Sequence, residues 1–216
     1  MKKRKIFTIA VIALLATTSI KAQEFSVNTD IVSSYVWRGT QYSGVSIQPT
    51  LQFSTGGFSI GSWGSAGFDG FLEMDLYAKY AFDFGLSLGL TDYYYPGSDY
   101  FDLSKASGAH GLELNLGYAV GGLSIGANYI FNEAGDAGTA GGDKYFELGY
   151  AFKKFSIFAG AGDGWHSTTG DFKLVNIGIS STKEIKITDT FSIPLKATAI
   201  LNPATEQFML VAGITL

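Results

Sequence analysis

Residues 71–84, "FLEMDLYAKYAFDF", separate into two sets when every second position is taken. Leu72, Met74, Leu76, Ala78, Tyr80, Phe82 and Phe84 form one set; Phe71, Glu73, Asp75, Tyr77, Lys79, Ala81 and Asp83 form the other. Successive side chains on a strand point to opposite faces, so this stretch is a strand with one oily and one charged face. Which face looks inward decides the class of molecule. A soluble barrel buries the oily face, whereas a membrane barrel turns it to lipid and lines its interior with charge.

The same period recurs along the chain. A strand over about 24–38 carries Phe25, Val27, Thr29, Ile31, Tyr35 and Trp37 on one face. Later runs place Phe146, Leu148, Tyr150 and Phe152 together, then Val175, Ile177 and Ile179, then Phe208, Leu210, Ala212, Ile214 and Leu216. The uncharged stretch 114–132 is long enough to cross a bilayer as a helix. Gly121-Gly122 at its centre and the alternation on either side make it a β-hairpin instead. About twelve strands (10–14) result, with tight turns at 56–57, 84–85, 121–122 and 153–154. Long polar loops fall at 39–45, 96–109, 132–143 and 163–171. The expected fold is all-β: a transmembrane antiparallel up-and-down barrel. Pro49 and Pro194 fall inside strands and each demands a bulge or a strand end.

The N-terminus places that barrel in a cell. Lys2–Lys5 are basic, residues 6–16 are apolar, and Ala22 precedes Gln23, the layout of a signal peptide over residues 1–22 with a barrel domain over 23–216. This leads to an expectation of Sec export to a Gram-negative outer membrane. The leader holds five of the 15 Lys and Arg and none of the 19 Asp and Glu, so the remainder carries 10 − 19 = −9. That balance excludes a nucleic-acid partner. There are no cysteines, so stability must come from a closed hydrogen-bonded sheet.

The oily set of residues is too bulky to fill one small interior, and the other face is rich in glycine, so the oily set is expected outward. Tyr35 and Trp37, Tyr94 and Tyr95, and Phe25 and Phe155 read as interface girdles. Outer-membrane lipid is then the first partner. Alternating hydrophobics back from Leu216 resemble the C-terminal signal read by the barrel-assembly machinery, the second.

Two stretches, "SSYVWRGTQYS" (33–43) and "LEMDLYAKY" (72–80) followed by "GLTDYYYPG" (89–97), resemble the TorF-type family of small porin-type barrels of poorly defined function. The resemblance implies a porin-like role and supplies neither substrate nor site.

The lumen-lining residues expected from alternation are Arg38, Glu73, Asp75, Tyr77, Lys79, Glu113, Glu147 and Lys196. Glu73, Asp75, Glu113 and Glu147 fall in the outer half of one wall, with Arg38 and Lys196 on the other. Such a field favours small polar or cationic solutes. Internal salt bridges that close the lumen are the competing reading. Small inward residues such as Gly89, Gly149, Gly160 and Gly178 fit either a water-filled lumen or tight curvature. A closed structural or adhesive barrel acting through its loops is a second function class. Lipid-modifying catalysis is a third, and no enzyme is expected. His110 and His166 are the only histidines, and Ser167 is merely the sequence neighbour of one. No cofactor or metal motif is present.

Overall fold

The structure, a computed structural model, describes residues 23–216. The expected signal peptide lies outside the described residues. Fourteen strands occur in chain order: β1 (Gln23–Val32), β2 (Tyr35–Trp37), β3 (Thr40–Ser43), β4 (Ser46–Thr55), β5 (Phe58–Gly67), β6 (Leu72–Ala81) and β7 (Leu86–Tyr94). There follow β8 (His110–Val120), β9 (Leu123–Ile130), β10 (Asp143–Ala151), β11 (Ser156–Gly162), β12 (Lys173–Lys186), β13 (Ser192–Asn202) and β14 (Gln207–Thr215). Twelve of them, all but β2 and β3, close into one antiparallel barrel in which sequence neighbours pair and β1 meets β14. Among the described residues no helix is long and apolar enough to cross a membrane; crossing by strands is a separate matter.

Gln23, Thr215 and the tight turns at 56–57, 84–85, 121–122 and 153–154 lie at one end, and the long loops lie at the other with the short links 68–71 and 203–206. The sidedness follows the alternation. Leu114, Leu116, Leu148 and Ile179 stand exposed on the outer face. Gln48, Ser65, Glu73, Asp75, Glu113 and Asn176 are buried within. The buried apolar side chains, led by Tyr145, Ile130 and Val175, gather inside the loop-end half.

Both prolines are accommodated by missing ladder rungs. Pro49 pairs with Thr29 of β1, but toward β5 the ladder lapses at Gln48 and Pro49 and resumes at Thr50 with no shift of register. Pro194 pairs with Glu184 of β12, and β13 joins β14 only from Leu195 onward. The absent N–H thus faces no rung in either case.

Three expectations need correction. The first strand ends at Val32 instead of running to Arg38; Tyr35–Ser43 form a separate hairpin, β2–β3. Tyr35 and Trp37 are therefore not girdle residues, and neither is Tyr95, whose ring meets Phe71 and Trp165 on the inner side. Tyr35 is buried and its ring packs on Tyr42, Trp63 and Phe71. Lastly, Val175 leaves the outer face of Ile177 and Ile179. Gly160 pairs with Asn176 and Ala161 with Leu174, a bulge that skips Val175 and leaves it 1% exposed.

Candidate functional site

The site is built by the β2–β3 hairpin folding into the barrel mouth. Its two-residue tip is Arg38 (φ 49°) and Gly39 (φ 82°), both left-handed, the backbone of a type I′ turn. Gly39 suits this; Arg38, with a Cβ, does so at a cost of about 1 kcal/mol. Gly39 also touches the far wall, where an added Cβ would collide with the Val175 carbonyl. The Asn202 side chain donates to the Gly39 carbonyl at 3.0 Å. At the hairpin base, Gly44 N–H donates to Asp69 at 2.9 Å, which together with the Phe71 N–H holds the exposed Asp69 carboxyl below its ordinary pKa.

From this tip Arg38 crosses the lumen to β8. Its guanidinium donates twice to Glu113, at 2.5 and 2.9 Å, the bidentate geometry in which an Arg–carboxylate pair is strongest. Glu113 is wholly buried. It also accepts from Tyr93 Oη at 3.0 Å and from Asn115 Nδ2 at 2.5 Å. The guanidinium lies 4.3 Å from the Trp37 ring centroid and 4.5 Å from that of Tyr145, close enough for cation–π attraction to both. Trp37 packs in turn on Tyr93, Trp165 and His166.

His166 stands in the short turn Gly164–His166, with its Nε2 3.3 Å from Arg38 Nη1. Arginine offers only donors, so Nε2 accepts and the ring is neutral. Burial, then the neighbouring Arg38, holds its pKa down at about 3.

The other expected lumen residues divide by partner. Glu147 accepts from Tyr145 Oη at 2.6 Å and from Asn176 at 3.3 Å. Tyr77 donates to Gln52 at 2.9 Å. Lys79 and Lys196 form no ion pair among the described residues. Glu73 and Asp75 are buried on the inner face of β6, and Glu73 Oε2 and Asp75 Oδ1 have no hydrogen-bond partner. Arg38 was expected on the wall facing Glu113; it spans the gap and neutralises that acid.

The inward glycines divide: Gly89 and Gly117 line a cavity of about 310 Å³ with Lys79 and Asn115, whereas others sit under aromatic rings. A Cβ on Gly61 would strike Tyr77, on Gly160 Tyr145, and on Gly178 Phe158, so at these three positions a ring takes up the space beside the glycine. Below the hairpin toward the turn end a cavity of about 430 Å³ remains, lined by Asp30, Gln48, Glu147, Ser180, Lys196 and Thr198 among others.

The sequence reading missed Tyr93, Trp165 and the asparagines 115, 128, 176 and 202. Asn115 and Asn128 show the available signal, since a polar amide at an alternating inward position is a lumen residue by parity alone.

Among the described residues neither histidine is hydrogen-bonded to a serine hydroxyl. His110 lies on the outer face, stacked on Tyr94. Its Nδ1 is 2.9 Å from Asp92 and its Nε2 2.6 Å from the Tyr100 carbonyl, so both ring nitrogens are taken. Ser167 Oγ meets Thr169 rather than His166.

Comparison with solved structures finds the Salmonella typhi outer membrane phospholipase (OMPLA) dimer with bound calcium, 12% identical, TM-score 0.41. It also finds outer membrane phospholipase A from Escherichia coli, 12% identical, TM-score 0.39. Each likeness covers 92% of this chain and 91% of the other, and at this level it carries neither site nor activity. No curated protein matches the sequence. One family model does, over residues 16–184: a bacterial protein family of unknown function, Gcw_chp. That span takes in "YVWRG" and every strand from β1 into β12, so the barrel with its inturned hairpin is the fold of a chain that belongs to the Gcw_chp family.

Proposed function

We propose that the protein is an outer-membrane barrel with a narrow, porin-like lumen for small polar or cationic solutes, and that the β2–β3 hairpin is its gate. The membrane placement is supported by the exposed apolar belt on all sides of a closed sheet. Closure pairs the backbone strand to strand around the sheet, which is what lipid demands of a spanning β structure. The resemblance of residues 33–43, 72–80 and 89–97 to TorF-type porins agrees with it. Export through Sec, lipid around the belt and recognition of β14 by the assembly machinery complete the reading.

The observation that carries the gate is the bridge from the hairpin tip to opposite walls: Arg38 to Glu113 on β8, Gly39 to Asn202 on β13. These are non-covalent ties, with a polar cavity behind them. Solute preference follows from Glu73 and Asp75 on β6, with which no base pairs among the described residues.

Single-channel recording of refolded protein tests this. The wild type is expected to be closed or weakly conducting, and Arg38→Ala to conduct steadily with a reversal potential favouring cations. A folded Arg38→Ala barrel that stays silent sinks the gate. The same anchoring to two walls favours a second reading, a permanently closed barrel working through its loops, and silence in every variant is its signature.

A further inference from the structure

Four acids in the described structure are less than a tenth exposed: Glu73, Asp75, Glu113 and Asp143. Glu113 holds Arg38, and Asp143 accepts from Thr139 Oγ1 at 2.5 Å. Glu73 and Asp75 alone keep a buried oxygen without a donor. They stand two residues apart on the inner face of β6, so both aim into the same part of the lumen. Their surroundings supply oxygen rather than nitrogen bases. The hydroxyls of Tyr35 and Tyr95 adjoin the Glu73 carboxylate, and Ser65 lies across the ladder from it. Trp63 and Tyr93 flank Asp75 from the two neighbouring strands.

We propose that Glu73 and Asp75 form a binding site for a hard divalent cation of calcium's size, completed by the hydroxyls around them. Two carboxylates removed from water need a positive partner, and no basic side chain among the described residues pairs with either. An all-oxygen donor set selects hard cations. Calcium tolerates the irregular geometry such a wall offers, whereas magnesium demands an octahedron and retains its water. Tyr35 belongs to the hairpin, so a bound cation also fastens β2 to β6. This deepens the cation preference of the proposed pore and rests on it only for its meaning in transport. Binding is read without conduction, so a silent channel and a missing site are separate failures.

The probe is terbium, a calcium-sized luminescent ion, added to refolded protein in detergent and excited through the neighbouring Trp63 and tyrosines. Sensitised emission that calcium displaces is expected, as is at least a tenfold loss of affinity in Glu73→Gln and in Asp75→Asn. Heat-modifiable migration on gels verifies that each variant is a folded barrel. Absence of emission from the wild type overturns the site. So does emission that persists unchanged in the folded double variant, and so does an infrared carboxylic-acid band at neutral pH that the double substitution removes, which would mean the pair is held neutral by its own protons.

Discussion

Arg38 gathers the polar and aromatic contacts of the inturned hairpin tip at a single position. Its left-handed backbone is unfavourable for a residue with a Cβ, and its charge leaves water; two hydrogen bonds to Glu113 and two aromatic faces offset both. Truncation leaves Glu113 charged, buried and unpaired, so Arg38→Ala is expected to destabilise the barrel by about 3–5 kcal/mol. Arg38→Lys recovers only part of this, because an ammonium cannot make the planar double bond to a carboxylate. Urea unfolding in vesicles measures both. His166 adds a pH dependence whose sign is fixed by its burial. Its folded pKa, about 3, lies below the ordinary 6.5, so the unfolded chain takes the proton first as pH falls. The stabilisation is complete above about pH 6.5 and drains away toward pH 3. By pH 4 the loss is at most about 3 kcal/mol, and a second cation then faces Arg38, with Tyr145 and the tryptophans as the other neighbours. His166→Leu should remove that part of the acid sensitivity, read as the difference between the pH profiles of the two proteins. Identical profiles would mean that Nε2 is not the group responding.

At the scale of elements, the hairpin shows both what local pattern reveals and where it fails. The barrel strands could be read from period two because each needs only its own residues to alternate. Tyr35 and Trp37 continue that period from Val27 and Ile31, so nothing local distinguishes a strand that goes on from one that stops and turns inward. The signal was the dipeptide itself: Arg38-Gly39 between "YVW" and "TQY" sits where Asn-Gly or Asp-Gly normally marks a two-residue hairpin. Side-chain neighbours across the lumen were out of reach. The Arg38–Glu113 pair joins residues 75 apart in sequence, and the bulge at Val175 lies against the tip of another element, Gly39. Gly39→Ala tests the element as a unit. It forces a Cβ into the Val175 carbonyl and strains a left-handed position, so the tip should leave the lumen while the twelve-stranded ladder stays. Arg38, whose side chain is only 12% exposed, then becomes a trypsin site. Mass analysis should find cleavage after residue 38 in the variant and none there in the wild type. Equal protection in both would show that the tip tolerates the added methyl group without moving.

The whole molecule turns on which medium touches which face, and adjacent residues on one strand can measure it. Ile179 stands exposed on the outer face of β12, paired with Ile157 and Ala199; Ser180, next in the chain, lines the cavity inside. A lysine at either position keeps the same backbone, ladder and turn. What differs is the surrounding medium. If the belt lies in hydrocarbon, Ile179→Lys should cost about 2–4 kcal/mol near mid-depth, while Ser180→Lys extends into a cavity that already holds Lys196 and costs much less. The closure seam makes the measurement sensitive, because β1 and β14 meet over only five positions, residues 29–33 against 212–216, whereas β1 and β4 share ten. A barrel with one short seam has little reserve against a destabilised wall, so the outward lysine should also slow refolding into vesicles. In plain water the order reverses: an outward lysine would replace an exposed isoleucine at no cost and improve solubility. Comparing the two variants by urea midpoint in lipid vesicles therefore assigns the medium, and equal midpoints would remove the bilayer from the account of this fold.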